Sequence, residues 1–523
     1  MRAPALFALL LLPSLARAQP AVRYNEPPTL VPRAPLATRI DELVARIAKK
    51  ERRAEPRPDA RLDAAAADLA RAVSSSGAPP NELVQGALWV HGIIEPPPQL
   101  ILTAMGPGGE KELLDALGRD LPKVLSEGRF ARVGVGIVPG RDGETRVLVA
   151  LQESFVDLEP VARAQPLGGN VVVRGRLHDG FERPEAFVTA PDGRVINRVL
   201  VGGDPVRFGG VFRCGPQKGR YQIEVTGEDR FGATVVANFP VWCGMSAPST
   251  ARAAAPAGSG KDELFSTAPA AEQQVFKLLN ADRAHAGLPP LAWDAQLATV
   301  ARGHSADMQA HNFFGHISPT TGSAADRAKR ANVDAMLILE NVARAFNAGE
   351  AERGLMNSPG HRANILNREA TRVGVGVVYD PATKEILVTQ MFSRPPQKLD
   401  AHTIDELRRG IADARRQRRQ RPLEADGALD ELAGSTAREI AQHGMSTTIA
   451  GRRIDEALTR QDRWRGGRTV FAVVSTAAQA VESLGNALAD ATVTHVGIGL
   501  ASGKRNEGGG SGLYVVIVLA TAR

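Results

Sequence analysis

The chain has 523 residues, 43% of them hydrophobic, which is enough for several domains of about 100–200 residues that each bury a core. Its formal net charge of +7 is small for this length and excludes a strongly basic, nucleic-acid-binding composition. The basic run at 415–421, "RRQRRQR", is more typical of the solvated end of a helix than of a patch that binds a polyanion.

The first 18 residues, "MRAPALFALLLLPSLARA", have the features of a secretory signal peptide. Arg2 gives the positive start, an apolar run follows, and "ARA" is a small-residue cleavage site. The apolar run is too short to cross about 30 Å of hydrocarbon, and no later stretch is long and apolar enough. We therefore expect an exported protein of the periplasm, cell surface or extracellular space that does not span the membrane.

Residues 38–160 end in two alternating strands around a polar turn, "ARVGVGIVPGRDGETRVLVAL". Residues 168–245 then contain many short alternating runs separated by turn signals, which predict an all-β sandwich of immunoglobulin-like size. Cys214 and Cys243 are the two cysteines of the chain and lie near predicted strand ends. In an exported protein they are expected to form a disulfide. Residues 246–269 are rich in Ala, Pro, Ser and Gly and read as a linker.

Residues 270–396 and 402–523 share a plan with 38–160. The helical stretch at 421–444 aligns without a gap with 289–312, and "HVGIG" in the last segment matches "RVGVG" in the other two. The common order favours three copies of one fold. Chance matching of common "VGVG" strands is the alternative.

The middle segment also carries motifs in a specific order: "LLNADRAHAGLPPLAWDAQLATVARGHSADM", "FFGHISP", "ENVA", "MNSPGHRANIL" and "RVGVGVVYD". With these motifs it resembles the bacterial form of the CAP superfamily, which includes cysteine-rich secretory proteins, antigen 5 and plant pathogenesis-related proteins. The resemblance implies an α-β-α sandwich for 270–396 and weaker, degenerate CAP-like copies on either side. We therefore expect an α+β multidomain protein with one added immunoglobulin-like sandwich.

The resemblance also implies a cleft with two histidines and acidic residues, which bind a divalent metal in several members. By motif, the cleft residues are His316 of "FFGH", His361 of "SPGHR" and Glu340 of "ENVA". Two imidazoles and a carboxylate suit zinc or another divalent metal, with a fourth position left to water. The family's second glutamate, however, is replaced here by Ser358.

Three further histidines lie in the middle segment, and we expect structural roles for them. His304 and His311 share one face of a predicted helix, where His304 is expected to be partly buried and His311 exposed. His285 lies in a polar helix end and is expected to be solvated.

Three functions compete. The first is a non-catalytic binding module whose cleft holds a metal and a lipid, peptide or cell-envelope ligand. The second is a metal-dependent hydrolase with Glu340 as base, which the missing second glutamate disfavours. The third is a cell-surface scaffold. The oligomeric state stays open.

The outer copies lack the cleft residues. Counting back from the "VGVG" strands places Leu121 and Leu484 where the middle copy has His361. The likeness of "LILT" to "LILE" places Thr103 at Glu340, and gapless counting places Thr448 at His316. Since leucine cannot ligate a metal but fills space, we expect closed outer copies that serve packing or partner contact.

Overall fold

The computed structural model describes residues 22–27, 32–73, 79–140, 143–200, 205–251, 267–381, 383–395, 401–474, 477–504 and 511–523. The predicted signal peptide and most of the predicted linker lie outside the described residues. The chain is a mixed α/β, multidomain protein whose contacts divide it into two compact units. One unit is Met1–Glu263 with Arg353–Ala363, and the other is Leu264–Glu352 with Asn364–Arg523.

The first half of the first unit alternates helices with short strands. In chain order these are β1 (Arg23–Tyr24), α1 (Pro35–Lys50), β2 (Arg57–Pro58), α2 (Ala60–Ala72), α3 (Asn81–Val90), β3 (Gln99–Met105), α4 (Glu110–Glu127), β4 (Phe130–Pro139) and β5 (Thr145–Glu153). Strands β2, β4, β5 and β3 form a sheet in that order, called here the first sheet. Apolar residues of α1 and α4 cover one face and those of α2 and α3 the other, so helices enclose the sheet on both sides.

In the second half of the first unit, the described residues form nine strands. They are β6 (Val156–Leu158), β7 (Val161–Ala162), β8 (Ala164–Gln165), β9 (Asn170–Leu177), β10 (Glu182–Thr189), β11 (Val195–Val199), β12 (Arg207–Arg213), β13 (Gly219–Asp229) and β14 (Gly232–Cys243). Strands β11-β10-β13-β14-β8 form one sheet and β12-β9-β6 another, and both contribute to one apolar cluster. Strand β6 already pairs with β9, so these sheets begin before residue 168. The sequence did not indicate β6 because a strand of three residues is too short to show an alternating pattern.

The predicted disulfide is confirmed. Cys214 and Cys243 are bonded, with their Cα atoms 5.7 Å apart. Cys214 directly follows β12 of the three-stranded sheet, and Cys243 ends β14 of the five-stranded sheet. The bond therefore links the two sheets covalently.

The remaining elements run from residue 268 to the C-terminus. They are α5 (Ala268–His285), β15 (Ala292–Trp293), α6 (Ala295–Ala310), α7 (Ala324–Arg330), β16 (Leu337–Ala345), α8 (Ala348–Asn357), α9 (Pro359–Ile365), β17 (Arg372–Asp380), β18 (Glu385–Arg394), α10 (Ala401–Gln417), β19 (Glu424–Ala425), α11 (Gly427–His443), α12 (Thr447–Thr459), β20 (Trp464–Val474), α13 (Ala477–Ser483), a 3₁₀ turn (Gly485–Ala489), β21 (His495–Lys504) and β22 (Ser511–Ala522). The middle sheet has the order β15-β17-β18-β16 and the last sheet β19-β21-β22-β20. Both repeat the strand order of the first sheet.

One helix lies unusually close to each of these three sheets. Helices α2, α6 and α11 all start after an aspartate whose carboxylate accepts two backbone N–H groups of the first turn. Each then packs over a Gly-x-Gly pair in the neighbouring long strand. A Cβ atom at either glycine, for example Gly374 or Gly376, would overlap the helix backbone. Only glycine allows this approach, so the pair fixes where the helix lies on the sheet.

The close approach can be tested in the middle sheet. Gly376→Ala should destabilise the chain by about 3 kcal/mol or more, since backbone must move to accept the new methyl group. The control is Gly303→Ala on α6, where a Cβ meets nothing within 4 Å. That substitution should stabilise by about 0.5–1 kcal/mol through helix propensity. Calorimetric unfolding of the full chain measures both, and equal small effects would contradict the packing argument.

Candidate functional site

The centre of the site is a hydrogen-bonded histidine and glutamate. His316 lies in the segment between α6 and α7, and Glu340 lies on β16. Nδ1 of His316 is 3.1 Å from Oε1 of Glu340. The Glu340 side chain is only 3% exposed, so this carboxylate is held in the protein interior. The structure thus brings together two of the three predicted cleft residues.

A buried arginine balances the charge of Glu340. Nη2 of Arg327 donates to Oε2 of Glu340 at 2.5 Å, and both side chains are almost fully buried. Arg327 also donates to the backbone oxygens of His316 and Gly322. Burial alone would raise the pKa of Glu340, but the hydrogen bond from His316 and the charge of Arg327 hold that pKa below its usual value. Glu340 is therefore an ionised anchor with both oxygens engaged.

His304 completes the base of this cluster. The residue is fully buried, its Nε2 lies 2.9 Å from the Gly315 oxygen, and it approaches Oε1 of Glu340 to 3.8 Å. Burial lowers the pKa of His304, although the charge of Glu340 partly offsets this. The sequence predicted a partly buried residue, so its burial and its contact with the cluster were underestimated. Its position on the face of α6 that carries Leu297 and Ala301 was the available signal.

A second carboxylate fixes the segment that carries His316. Asp307 accepts hydrogen bonds from the hydroxyls of Ser318, Thr320 and Thr321. Burial opposes ionisation of Asp307, but these bonds hold its pKa below the usual value. His311, which is exposed as predicted, pairs with the same carboxylate at 2.7 Å. The turn after His316 is thereby tied to α6, which limits the movement of the imidazole.

A buried chain of amides runs beside Glu340. Asn364 donates to Asn341, Asn341 donates to Gln390, and Gln390 donates to Glu352 at 2.6 Å. Burial raises the pKa of Glu352 to about 8. The nearby charge of Asp282 adds to this effect and the Gln390 bond opposes it. No sequence pattern predicted this network, because its residues come from segments that are distant in the sequence.

His361 lies in the first turn of α9, which begins at Pro359 as predicted. The hydroxyl of Ser358 accepts from the backbone nitrogen of His361 at 3.5 Å, in the manner of an N-cap. The same turn also bonds to strand β13. The buried carboxylate of Glu224 on this strand accepts hydrogen bonds from Gly360 N, at 2.9 Å, and from the Ser358 hydroxyl.

The three predicted metal ligands fall into different compact units. His361 belongs with the first, whereas His316 and Glu340 belong with the second. Their convergence stays a prediction. Within the described residues, no group of three or more His, Cys, Asp or Glu side chains is arranged to hold a metal ion.

The fit of Glu340 to a metal is poor for a physical reason. Its Oε2 already accepts from Arg327, and a divalent cation on the same carboxylate would face a buried guanidinium. Its Oε1 instead orients His316 through Nδ1, the role that carboxylates take behind metal-binding histidines. In a neutral imidazole with Nδ1 protonated, the lone pair lies on Nε2.

Comparison with known families agrees with the motifs. The model of the cysteine-rich secretory protein (CAP) family matches residues 276–392. This segment belongs to the CAP superfamily. Two curated proteins of Bacillus subtilis are similar to part of this chain: the uncharacterized membrane protein YlbC, 43% identical over 107 residues, and the uncharacterized protein YkwD, 40% identical over 129 residues. The matches cover 20% and 24% of this chain but only 31% and 50% of those relatives.

Solved structures are also similar. An extracellular SCP-domain protein from Bacillus anthracis is 25% identical, with 46% of this chain and 88% of that chain covered and a TM-score of 0.23. A cysteine-rich secretory protein from Staphylococcus aureus is 16% identical, with 52% and 89% covered and a TM-score of 0.21. Within the described part of this chain, no helix has the length and apolar character that a membrane crossing requires.

Strand register corrects one predicted equivalence outside the CAP segment. In the middle sheet, the first glycine of "VGVG", Gly374, pairs with Met391 on β18, and Met391 pairs with Glu340 on β16. The same steps lead to Leu100 in the first sheet, not to Thr103 as predicted, and to Thr469 in the last sheet. The similarity of "LILT" to "LILE" gave the wrong equivalence because the pairing of strands, and not a short local sequence match, sets the register.

Thr448 is also not equivalent to His316. Thr448 lies inside helix α12, which starts only a short turn after α11 ends. The long segment between α6 and α7, which carries His316, therefore has no counterpart there. Leu121 and Leu484, the predicted replacements of His361, are both buried in apolar clusters.

Removing the cation of the cluster should be costly. Arg327→Met leaves Glu340 buried without its cation, so we expect a loss of about 3–5 kcal/mol in unfolding free energy and a rise in the pKa of Glu340. Arg330→Ala, three residues on and exposed, is the control. The double variant with Glu340→Gln should recover much of the loss. Denaturant unfolding distinguishes these cases, and an Arg327→Met loss no larger than the control would refute the pairing.

The raised pKa of Glu352 predicts a pH-dependent stability. The pKa is about 8 in the folded chain against 4.5 ordinarily, so the stabilising contribution is complete below 4.5 and is lost as pH rises through about 8. Glu352→Gln should remove this dependence, changing the slope by up to about 1.4 kcal/mol per pH unit. Unfolding at several pH values from 5 to 9 checks it, with the exposed Glu439→Gln as control. Parallel wild-type and Glu352→Gln profiles would count against the assignment.

Proposed function

We propose that this chain is an exported, non-catalytic binding protein built around its CAP segment. The observation that supports this most strongly is the state of Glu340, whose two carboxylate oxygens are engaged by Arg327 and His316 inside the protein. A general base must reach the proton that it removes. A carboxylate held in this way positions its neighbour instead of accepting a substrate proton.

The hydrolase alternative has little support among the described residues. Ser358 replaces the family's second glutamate, and it serves as an N-cap that also contacts Glu224. The two cysteines form the disulfide, so neither is a thiol nucleophile. The chemistry that this cluster supports is the orientation of an imidazole towards a ligand.

In this proposal the ligand is zinc or another divalent metal, with a lipid, peptide or cell-envelope component as a further partner. His316 would bind the metal through Nε2, with Glu340 orienting the ring from behind and His361 as the second protein ligand. A bound metal would supply Lewis-acid character to whatever oxygen ligand completes its coordination.

The outer sheets fit degenerate CAP-like copies. All three sheets share one strand order, the same aspartate caps and the same Gly-x-Gly contacts. The outer two carry buried leucines at the predicted place of His361. We propose that they have lost the site and, with an immunoglobulin-like sandwich, serve packing or partner contact.

Zinc binding tests the function directly. Zinc should raise the melting temperature of the full chain at pH 7.5, because a ligand of the native state stabilises it by mass action. The shift should shrink as pH falls through about 6, since a protonated imidazole cannot bind metal. His316→Ala and His361→Ala should each abolish it.

The matched control is His285→Ala, which removes an exposed histidine in the last turn of α5. Its zinc-induced shift should equal that of the unaltered chain, and metal analysis of the purified proteins should give the same ranking. A zinc shift that survives in both His316→Ala and His361→Ala would exclude the proposed ligands.

A further inference from the structure

The first compact unit contains a pocket whose described lining residues include none of the predicted metal ligands. Its volume is about 610 Å³, within the range of about 300–1,000 Å³ typical of small-molecule sites. The walls are formed by helix α3, by the paired ends of strands β13 and β14, and by the chain around Pro248. Trp89 and Trp242 give it two indole surfaces.

Two arginines make the pocket cationic. Arg163 is only 2% exposed and donates to the backbone oxygens of Val90 and Pro248. Its guanidinium carbon lies 5.7 Å from the Trp242 ring centroid. The two backbone oxygens and the indole face hold this guanidinium in the wall of the pocket, where its positive charge attracts anions.

The second arginine lies at the rim. Arg220 places its guanidinium carbon 5.0 Å from the centre of the Trp89 ring, which holds it beside the opening. Trp89 donates its indole N–H to the Asn238 oxygen, so it presents an aromatic face rather than a polar edge. Glu82, the acidic residue among the described lining residues, pairs with Arg353 at 3.6 Å, and its charge also acts on Arg220.

These features together define a ligand chemistry. Planar guanidinium groups bind carboxylates through paired hydrogen bonds, and indole faces favour flat apolar bodies. We propose that this pocket binds a small aromatic carboxylate, with the acid group at Arg220 and the ring between the tryptophans. Asn357 of the CAP segment also lines this pocket, but the proposal needs no metal and none of the predicted metal ligands.

Calorimetric titration of the full chain with 1-naphthoate tests the proposal. Two probes separate its parts: 1-naphthylmethylammonium has the ring with the opposite charge, and acetate has the charge without the ring. Naphthoate should bind at least tenfold more tightly than either. Equal binding of the cationic probe would overturn the charge argument, and equal binding of acetate would overturn the aromatic one.

Two variants locate the binding. Arg220→Gln removes the rim charge at an exposed residue, and Gly86→Leu fills the pocket from α3, where a first added carbon meets only Ala251 at ordinary distance. Each should weaken naphthoate binding at least tenfold. Arg174→Gln, an exposed arginine on β9, should leave it unchanged. Undiminished binding in both pocket variants, with circular dichroism showing folded protein, would place the ligand elsewhere and refute the site.

Discussion

The candidate site depends on the contact between α6 and the two glycines of β17. Because no side chain separates helix from strand, the hydroxyl of Ser305 reaches the Gly376 oxygen at 3.1 Å. The same helix then presents His304 beneath Glu340 and Asp307 beneath the turn that follows His316. A shift of the helix by one methyl group would move all three side chains together, so the geometry of the cluster follows from glycine at two positions.

The same contact occurs in the first and last sheets, yet the cluster does not. At the place of His304, counted from the aspartate caps, those segments have Leu69 and Thr436. At the place of Glu340 they have Leu100 and Thr469. The scaffold therefore does not require the polar cluster. Burying charged groups is costly unless they are paired, so a copy that does not use them gains from an uncharged replacement.

Sequence alone was sufficient for what is encoded locally. Alternating polar and apolar residues predicted the strand pairs, and capping residues predicted the start of α9. The CAP motifs were recognised from their residues. Arg327 was missed because its partner Glu340 lies on a separate element and an arginine in a short helix has no distinguishing pattern. Thr448 was misassigned because gapless counting cannot detect that the segment between two helices has been shortened.

Arg415 is a second buried arginine that the sequence analysis did not identify. The basic run 415–421 was interpreted as solvated, but Arg415 is 1% exposed and donates to the backbone oxygens of Leu488 and Asp490. Arg283 of the CAP segment does the same with Ile365 and Asn367. Both cations hold the turn that leads towards the central strand. A composition argument averages over a run and cannot identify the member that points inwards.

The buried Glu224 extends this reasoning to the segment that carries His361. Its carboxylate accepts from Gly360 N and the Ser358 hydroxyl, so it satisfies donors that the first turn of α9 would otherwise leave unpaired. Burial raises the pKa of Glu224 to about 7, with these two bonds opposing the shift. Where the CAP family has its own glutamate, this chain has Ser358 bonded to a carboxylate from β13. A carboxylate from strand β13 therefore bonds the first turn of α9, the turn that carries His361.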